Sequence, residues 1–139
     1  MVYLSMTSLL LALPMMVFLQ KEDPPWEEVA LVVLLGINLL LSILFWTYPV
    51  QTSLLHRTDA VFARVSFLAF SIYIVFVKEL DIFIKAFFVA LLGVASTLFY
   101  YSNVHSTREW CCEHHLLFHS AFHSVVSAGC SIAFLPSGT

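Results

Sequence analysis

The sequence predicts an all-α fold: a bundle of about five transmembrane helices in a single domain. The 139 residues are 60% hydrophobic and only 11% charged, roughly half the charged fraction of a soluble domain. Only helices and closed barrels satisfy the backbone inside a bilayer, and these apolar runs are too long and uniform for barrel strands. At about 20 residues per span, the chain has room for five helices and no soluble domain.

The first two predicted spans each contain or precede a proline. Residues 2–19 form the first span, which we expect to bend at Pro14. No basic n-region or cleavage site marks this stretch as a secretory signal. Residues 29–55 form the second span, which we expect to kink at Pro49 and continue to the end of the apolar pattern. The alternative is a helix that ends at Pro49 and is followed by a separate turn.

The remaining spans are predicted at residues 60–77, 82–101 and 114–135, with residues 102–110 as the last loop. The chain is therefore expected to be a multi-pass integral membrane protein, with no internal sequence repeat. Its net charge of −3 argues against a nucleic-acid partner. Three cysteines make no disulfide framework, and Cys130 is expected to be a small packing residue.

Histidines open the last predicted span. His115, His119 and His123 recur every fourth residue, so they form one stripe on a helix. An i, i+4 pair of imidazoles can bind one zinc ion from a single helix face. Ionisable groups at membrane depth are costly and usually face the bundle interior at functional sites. The alternative is an interfacial histidine cluster that stabilises the end of the helix.

The alternation of five spans brings a second set of residues to the same membrane face. His56 and Asp59 lie at the turn between the second and third spans, and His119 and His123 lie near the start of the fifth. Three imidazoles with one open position form the ligand set of a catalytic zinc, and a nearby carboxylate can orient the zinc-bound water. The alternatives are an interfacial turn residue for His56 and the N-cap of the third helix for Asp59.

These residues resemble the CREST superfamily of membrane hydrolases, which includes alkaline ceramidases, PAQR receptors, hemolysin III-like proteins and GPI-lipid remodelling enzymes. TSLLH (residues 52–56) resembles the family's Ser-x-x-x-His element, and Asp59 resembles the aspartate that opens its next helix. HSAFH (residues 119–123) resembles the final His-x-x-x-His, with Gly129 at a similar spacing. HLLFH (residues 115–119) also fits this element, so its register stays open, although the glycine spacing favours the later pair.

The sequence departs from the family pattern in three respects. Ser53 precedes His56 by three residues, whereas Thr52 holds the family's spacing of four. The connection between His56 and Asp59 is two residues long, shorter than the family's loop. The family core has seven helices, and five are predicted here.

The resemblance implies zinc-dependent hydrolysis of an amide or ester in a membrane lipid. It implies that His56, His119 and His123 bind zinc, that Asp59 acts on the zinc-bound water, and that Ser53 is a nearby polar group of the catalytic site. The short loops allow an alternative, a divergent family member in which zinc has a structural role only. Two other classes remain: a haem protein with His56 and His119 or His123 as axial ligands, and a small scaffold without chemistry. A homo-oligomer in the bilayer is compatible with each.

Overall fold

The computed structural model describes residues 2–139, and this part of the chain contains helices and turns but no strand, which confirms the predicted all-α class. A 3₁₀ turn, Leu9–Leu11, joins the first two helices, and a π-helical turn, Tyr73–Val77, ends the fourth. The α-helices, in chain order, are α1 (Val2–Ser8), α2 (Ala12–Phe18), α3 (Trp26–Thr47), α4 (Leu54–Ile72), α5 (Ile82–Arg108) and α6 (Glu113–Ile132).

Three stretches are long and apolar enough to cross a membrane: α3, α4 with its π turn, and α5. The apolar stretch Tyr3–Phe18 is shorter, and α6 carries histidines and serines that lower its hydropathy. Large apolar side chains point outwards from the long helices; Leu40 is 63% exposed and Phe76 is 80% exposed. Such a surface suits contact with lipid chains, so the three candidate spans indicate a membrane protein.

The helices form two antiparallel hairpins, α3–α4 and α5–α6, joined by the amino-terminal helices. α1 and α2 pack against both α3 and α6, and each hairpin packs extensively within itself. By contrast, α5 contacts the α4 segment sparsely, mainly at the π turn. The arrangement therefore leaves a gap along most of the boundary between α4 and α5.

Near Pro14, where the sequence predicts a bend, the α-helix is interrupted by the 3₁₀ turn that ends three residues earlier. Proline has no N–H to donate to the carbonyl four residues earlier, which belongs to Leu10. Ser127 of α6 donates its hydroxyl to that carbonyl at 2.6 Å. The acceptor freed by the proline thus becomes a link between the amino-terminal segment and α6.

The predicted continuation of the second span through Pro49 is wrong. α3 ends at Thr47, and Tyr48 has φ −137° and ψ 78°, outside the helical region. The ring of a following proline disfavours helical geometry in the preceding residue, and here that local steric effect ends the helix. Leu54 and Leu55 belong instead to α4, which begins six residues earlier than the predicted third span.

The predicted loop at residues 102–110 is also mostly wrong, because α5 continues to Arg108. This stretch is polar but contains neither glycine nor proline, so nothing in it breaks a helix. The connection to α6 is reduced to residues 109–112. After α6 the tail returns to the α4–α5 connection: Asp81 donates its N–H to the Thr139 carbonyl at 2.7 Å.

The bundle has two ends of different chemistry. The histidine end comprises the connections 48–53 and 109–112 and the start of α1, where Leu4, Phe45 and Trp46 form a small buried cluster. The lysine end comprises the connections 19–25 and 78–81 and residues 133–139. The larger core cluster extends from the middle of the bundle into the lysine end and includes Cys130, which confirms its predicted role in packing.

Candidate functional site

A cavity of about 880 Å³ lies between α3, α4, α5 and α6. At the histidine end its lining is polar, and towards the middle of the bundle it is mainly apolar and aromatic. The polar lining includes His56, Asp59, Arg64, His115, His119 and His123. The cavity therefore brings together four of the five predicted site residues. The fifth, Ser53, does not line it.

Ser53 and His56 together cap the start of α4. The His56 N–H donates to Ser53 Oγ at 3.1 Å, and the Thr52 N–H donates to His56 Nδ1 at 3.0 Å. This is a reciprocal cap like a capping box, but the third helical residue reaches back past the N-cap to the residue before it. Thr52 has φ 65°, which turns its N–H towards the ring. Asp59 lies in the second turn, so its interpretation as the N-cap is wrong.

α6 is capped by the same pattern of hydrogen bonds. The His115 N–H donates to Cys112 Sγ at 3.4 Å, and the Cys111 N–H donates to His115 Nδ1 at 3.1 Å. Cys111 has φ 60°, matching Thr52 at the other cap. Burial raises the pKa of the Cys111 thiol, so this thiol stays protonated at neutral pH. Two helices that both start at the histidine end thus begin with equivalent histidine caps.

Trp110 joins the two caps. Its ring centroid lies 5.4 Å from that of His56 and 5.1 Å from that of His115. Its Nε1–H donates to the Pro49 carbonyl at 3.1 Å. The indole therefore ties the α3–α4 connection to the start of α6 and holds both histidine rings between aromatic neighbours.

The capping bonds fix the tautomers of His56 and His115. A backbone N–H can only donate, so the Nδ1 atom that accepts it carries a lone pair and no hydrogen. In the neutral ring the proton is then on Nε2, which becomes a donor and has no lone pair for a metal. His56 and His115 are accordingly suited to donate hydrogen bonds to a ligand rather than to bind an ion.

His119 and His123 have different partners, both hydroxyl groups. His123 Nδ1 lies 3.2 Å from Thr7 Oγ1, and that hydroxyl already donates its hydrogen to the Leu4 carbonyl. With the Thr7 hydrogen on the Leu4 carbonyl, His123 donates from Nδ1, and a lone pair is left on Nε2. His119 Nδ1 lies 3.1 Å from Ser102 Oγ, where either atom can donate. The two rings are 4.7 Å apart between centroids.

The predicted zinc set of His56, His119 and His123 does not fit this arrangement. His56 Nδ1 is bonded to the backbone, and Phe45 stacks on the ring at 4.8 Å. Within residues 2–139, no group of three or more histidine, cysteine, aspartate or glutamate side chains is placed to hold a metal ion. The alternative pair in HLLFH does not fit either, because Nδ1 of His115 accepts the Cys111 N–H in the cap of α6. Zinc binding stays a prediction that rests on the resemblance. The haem alternative also requires His56 as a ligand, and the bond from the Thr52 N–H to its Nδ1 opposes that role in the same way.

Asp59 offers its carboxylate to the cavity. It is half-buried, and in the described part of the chain no side chain forms a hydrogen bond or an ion pair with it. Arg64 lines the same cavity and likewise has no acidic partner there. Both charges are therefore available to a bound molecule.

The sequence reasoning passed over two polar residues that line the apolar part of the cavity, Asn38 and Ser66. Asn38 is buried in α3 and Ser66 in α4. The available signal was a lone amide within a strongly apolar span, which at membrane depth marks either helix packing or function.

Neither protein-family models, nor curated proteins, nor solved structures give a match to this chain.

Proposed function

We propose that this chain is a multi-pass membrane protein that binds an amphipathic lipid in the cavity between its two helical hairpins. The observation that supports this most directly is the polarity of the cavity: its histidines and most of its charged residues lie towards one end, and the rest of its lining is mainly apolar. The volume of about 880 Å³ lies within the range of ligand sites, roughly 300–1,000 Å³. A polar head fits at the histidine end and an acyl chain fits beyond it.

The helix packing supports entry from the side. α4 and α5 leave a gap along most of their length, and both helices are candidate spans. In a bilayer such a gap faces lipid chains, so a lipid can enter without leaving the membrane. We include in this proposal five membrane passes, with α1–α2 and α6 as the other two and the amino terminus at the histidine end.

The polar lining favours a head group rich in oxygen. His56 and His115 present Nε2–H donors, Arg57 lies at the same end, and Arg64 lines the cavity about two turns further along α4. Neither arginine has an acidic partner in the described residues. Carboxylates and the carbonyls of esters or amides accept such hydrogen bonds. A fatty acid or a lipid with an acyl linkage is therefore the expected ligand class.

Lipid binding can be tested by blocking the cavity. We expect protein purified in mild detergent to retain about one lipid per chain, identified by mass spectrometry. Ala63→Trp should reduce this at least tenfold, because Ala63 lines the cavity and an indole fills space that the acyl chain needs. Ala90→Trp is the control, since Ala90 is an exposed residue of α5 outside the cavity lining. Equal lipid content in all three proteins would contradict the proposal.

A second candidate function is hydrolysis of an amide or ester in the bound lipid. It is favoured by His123, which lines the cavity with an Nε2 lone pair that can take a proton from water. Asp59 adds a carboxylate that lines the same cavity and has no side-chain partner in the described residues.

We expect purified protein to release fatty acid from a panel of ceramides and phospholipids. His123→Gln should lower the rate by about 10²–10⁴-fold, as expected for loss of a general base. His114→Gln is the control, because His114 is exposed and does not line the cavity. A wild type that binds lipid and cleaves none of the panel would contradict this second candidate and leave the lipid-binding proposal in place.

A further inference from the structure

Two polar side chains face each other about halfway along α3 and α4, far from the histidine end. Asn38 is 6% exposed, Ser66 is 8% exposed, and both line the cavity. Asn38 Nδ2 donates to Ser66 Oγ and, at 2.8 Å, to the Leu34 carbonyl. Ser66 follows His56 by ten positions, roughly 15 Å at the α-helical rise. A lipid with its head at His56 would bring the middle of its acyl chain to this pair.

The pair has hydrogen-bonding capacity left over. Asn38 uses its amide hydrogens, while its Oδ1 accepts no hydrogen bond in the described residues. Ser66 Oγ accepts from Asn38, and its own hydrogen has no acceptor there. One acceptor and one donor therefore remain beside each other on the cavity wall.

Some hydroxyls on these apolar helices are satisfied within their own helix, and others, such as Ser42 and Ser102, bond to a neighbouring helix. Ser71, also on α4 and also lining the cavity, donates to the Phe67 carbonyl at 2.6 Å. Thr97 on α5 donates to the Gly93 carbonyl at 2.9 Å. A serine or threonine in an apolar helix usually bonds in this way to a carbonyl one turn earlier. Ser66 does not, although it is among the more deeply buried hydroxyls.

We propose that Asn38 and Ser66 form a second binding point in the cavity, which recognises a hydroxyl group in the middle of an acyl chain. This inference rests on the proposed lipid-binding function. A hydroxyl complements the pair because it can donate to Asn38 Oδ1 and accept from Ser66 at once. A plain methylene chain leaves both groups unsatisfied, and a keto oxygen satisfies only Ser66.

Helix packing alone does not account for the pair. A bond between Asn38 and Ser66 does join α3 to α4, as polar side chains often do between membrane helices. That bond uses the amide hydrogen and a serine lone pair only. The free amide oxygen and hydroxyl hydrogen contribute nothing to it, and leaving them without partners in an apolar cavity is unfavourable.

The test is a competition between two fatty acids for the purified full-length protein in detergent. Octadecanoic acid and its analogue with a hydroxyl at the twelfth carbon are mixed in equal amounts, and the bound acid is quantified by native mass spectrometry. We expect the hydroxylated acid to bind roughly tenfold more tightly, the effect of one or two net hydrogen bonds. An isomer with its hydroxyl next to the carboxyl group should show no such advantage.

Variants locate the effect. Ser66→Ala and Asn38→Leu should each lose the preference and still bind octadecanoic acid. Ser71→Ala should keep the preference, because its hydroxyl is already bonded to Phe67. Ser66→Ala is the milder change and is sufficient for the test if Asn38→Leu does not fold.

The outcomes separate this inference from the proposed function. Equal binding of the two acids by the wild type overturns the mid-chain site and leaves lipid binding intact. A preference that survives Ser66→Ala also overturns it, since the hydroxyl is then recognised elsewhere. If neither acid binds, this inference is overturned, and the lipid retained by the purified protein decides the proposed function separately.

Discussion

The two ends of the bundle are stabilised by different kinds of interaction. At the lysine end Glu28 is fully buried, with Lys78 Nζ 2.6 Å and Lys21 Nζ 2.5 Å from its carboxylate oxygens. Tyr73 adds a hydroxyl hydrogen bond to the same carboxylate at 2.9 Å. These are the only ion pairs between side chains in residues 2–139. The histidine end is held by neutral imidazoles and indoles instead.

The difference separates a closed end from one that can take a ligand. The buried charges at the lysine end are paired with one another: Glu28 ties the start of α3 to the connection after α4, and Lys21 also donates to the Leu135 carbonyl at 3.5 Å. The four histidines that line the cavity each use Nδ1 in the fold and keep Nε2 for other partners: His56, His115, His119 and His123. Charge neutralisation therefore stabilises one end, and spare hydrogen-bonding capacity distinguishes the other.

The largest expected effect comes from breaking the buried ion pair. Glu28→Gln leaves Lys78 buried without a counter-ion, which should lower the free energy of unfolding by about 3–5 kcal/mol. The measurement is denaturant unfolding in a fixed detergent. Glu27→Gln is the matched control, because Glu27 is adjacent and makes no ion pair in the described residues, so its change should stay within about 0.5 kcal/mol. Equal losses in both variants would show that the ion pair does not close this end.

A smaller effect is expected from the caps of the histidine end. Ser53→Ala removes the hydroxyl that accepts the His56 N–H, and loss of an N-cap costs about 1 kcal/mol. Ser53→Asp should restore most of it, because a carboxylate accepts the same hydrogen bond. Ser106→Ala is the control, since Ser106 bonds only to the Asn103 carbonyl within its own helix. An unchanged stability in Ser53→Ala would mean that the cap seen at His56 is not formed in solution.

The fold class followed from the sequence because it depends on the length of apolar runs. The ends of the helices could not be predicted in the same way, because they depend on local sterics. The apolar pattern continues past Pro49, although the α3 helix ends before it at Thr47. The polar stretch before Arg108 has the composition of a loop and yet continues a helix, since nothing in it interrupts the hydrogen bonding.

The position of the site could be predicted, and its chemistry could not. The alternation of spans is enough to place His56 and His123 at one end, where both line the cavity. The tautomer of His56 depends on the N–H of Thr52, and that N–H reaches the ring only because Thr52 has a positive φ. Spacing between residues contains no information about that conformation. Nor does it reveal that Ser66 lacks the backbone bond that Ser71 makes.

The smallest expected effect is on zinc content. Its measurement distinguishes the capping role of His56 in the structure from the zinc-binding role that the resemblance implies. If His56 caps α4 through Nδ1, its replacement by alanine weakens the cap and leaves the zinc content of the purified protein unchanged. If the resemblance to the membrane hydrolases is correct in its ligand set, the wild type binds one zinc per chain and His56→Ala loses it. Elemental analysis after dialysis against a small amount of zinc decides between the two, with His114→Ala as an exposed-histidine control. A stoichiometric zinc that His56→Ala removes would mean that this ring leaves the Thr52 N–H and turns towards His119 and His123, and the tautomer assigned here to His56 would be wrong.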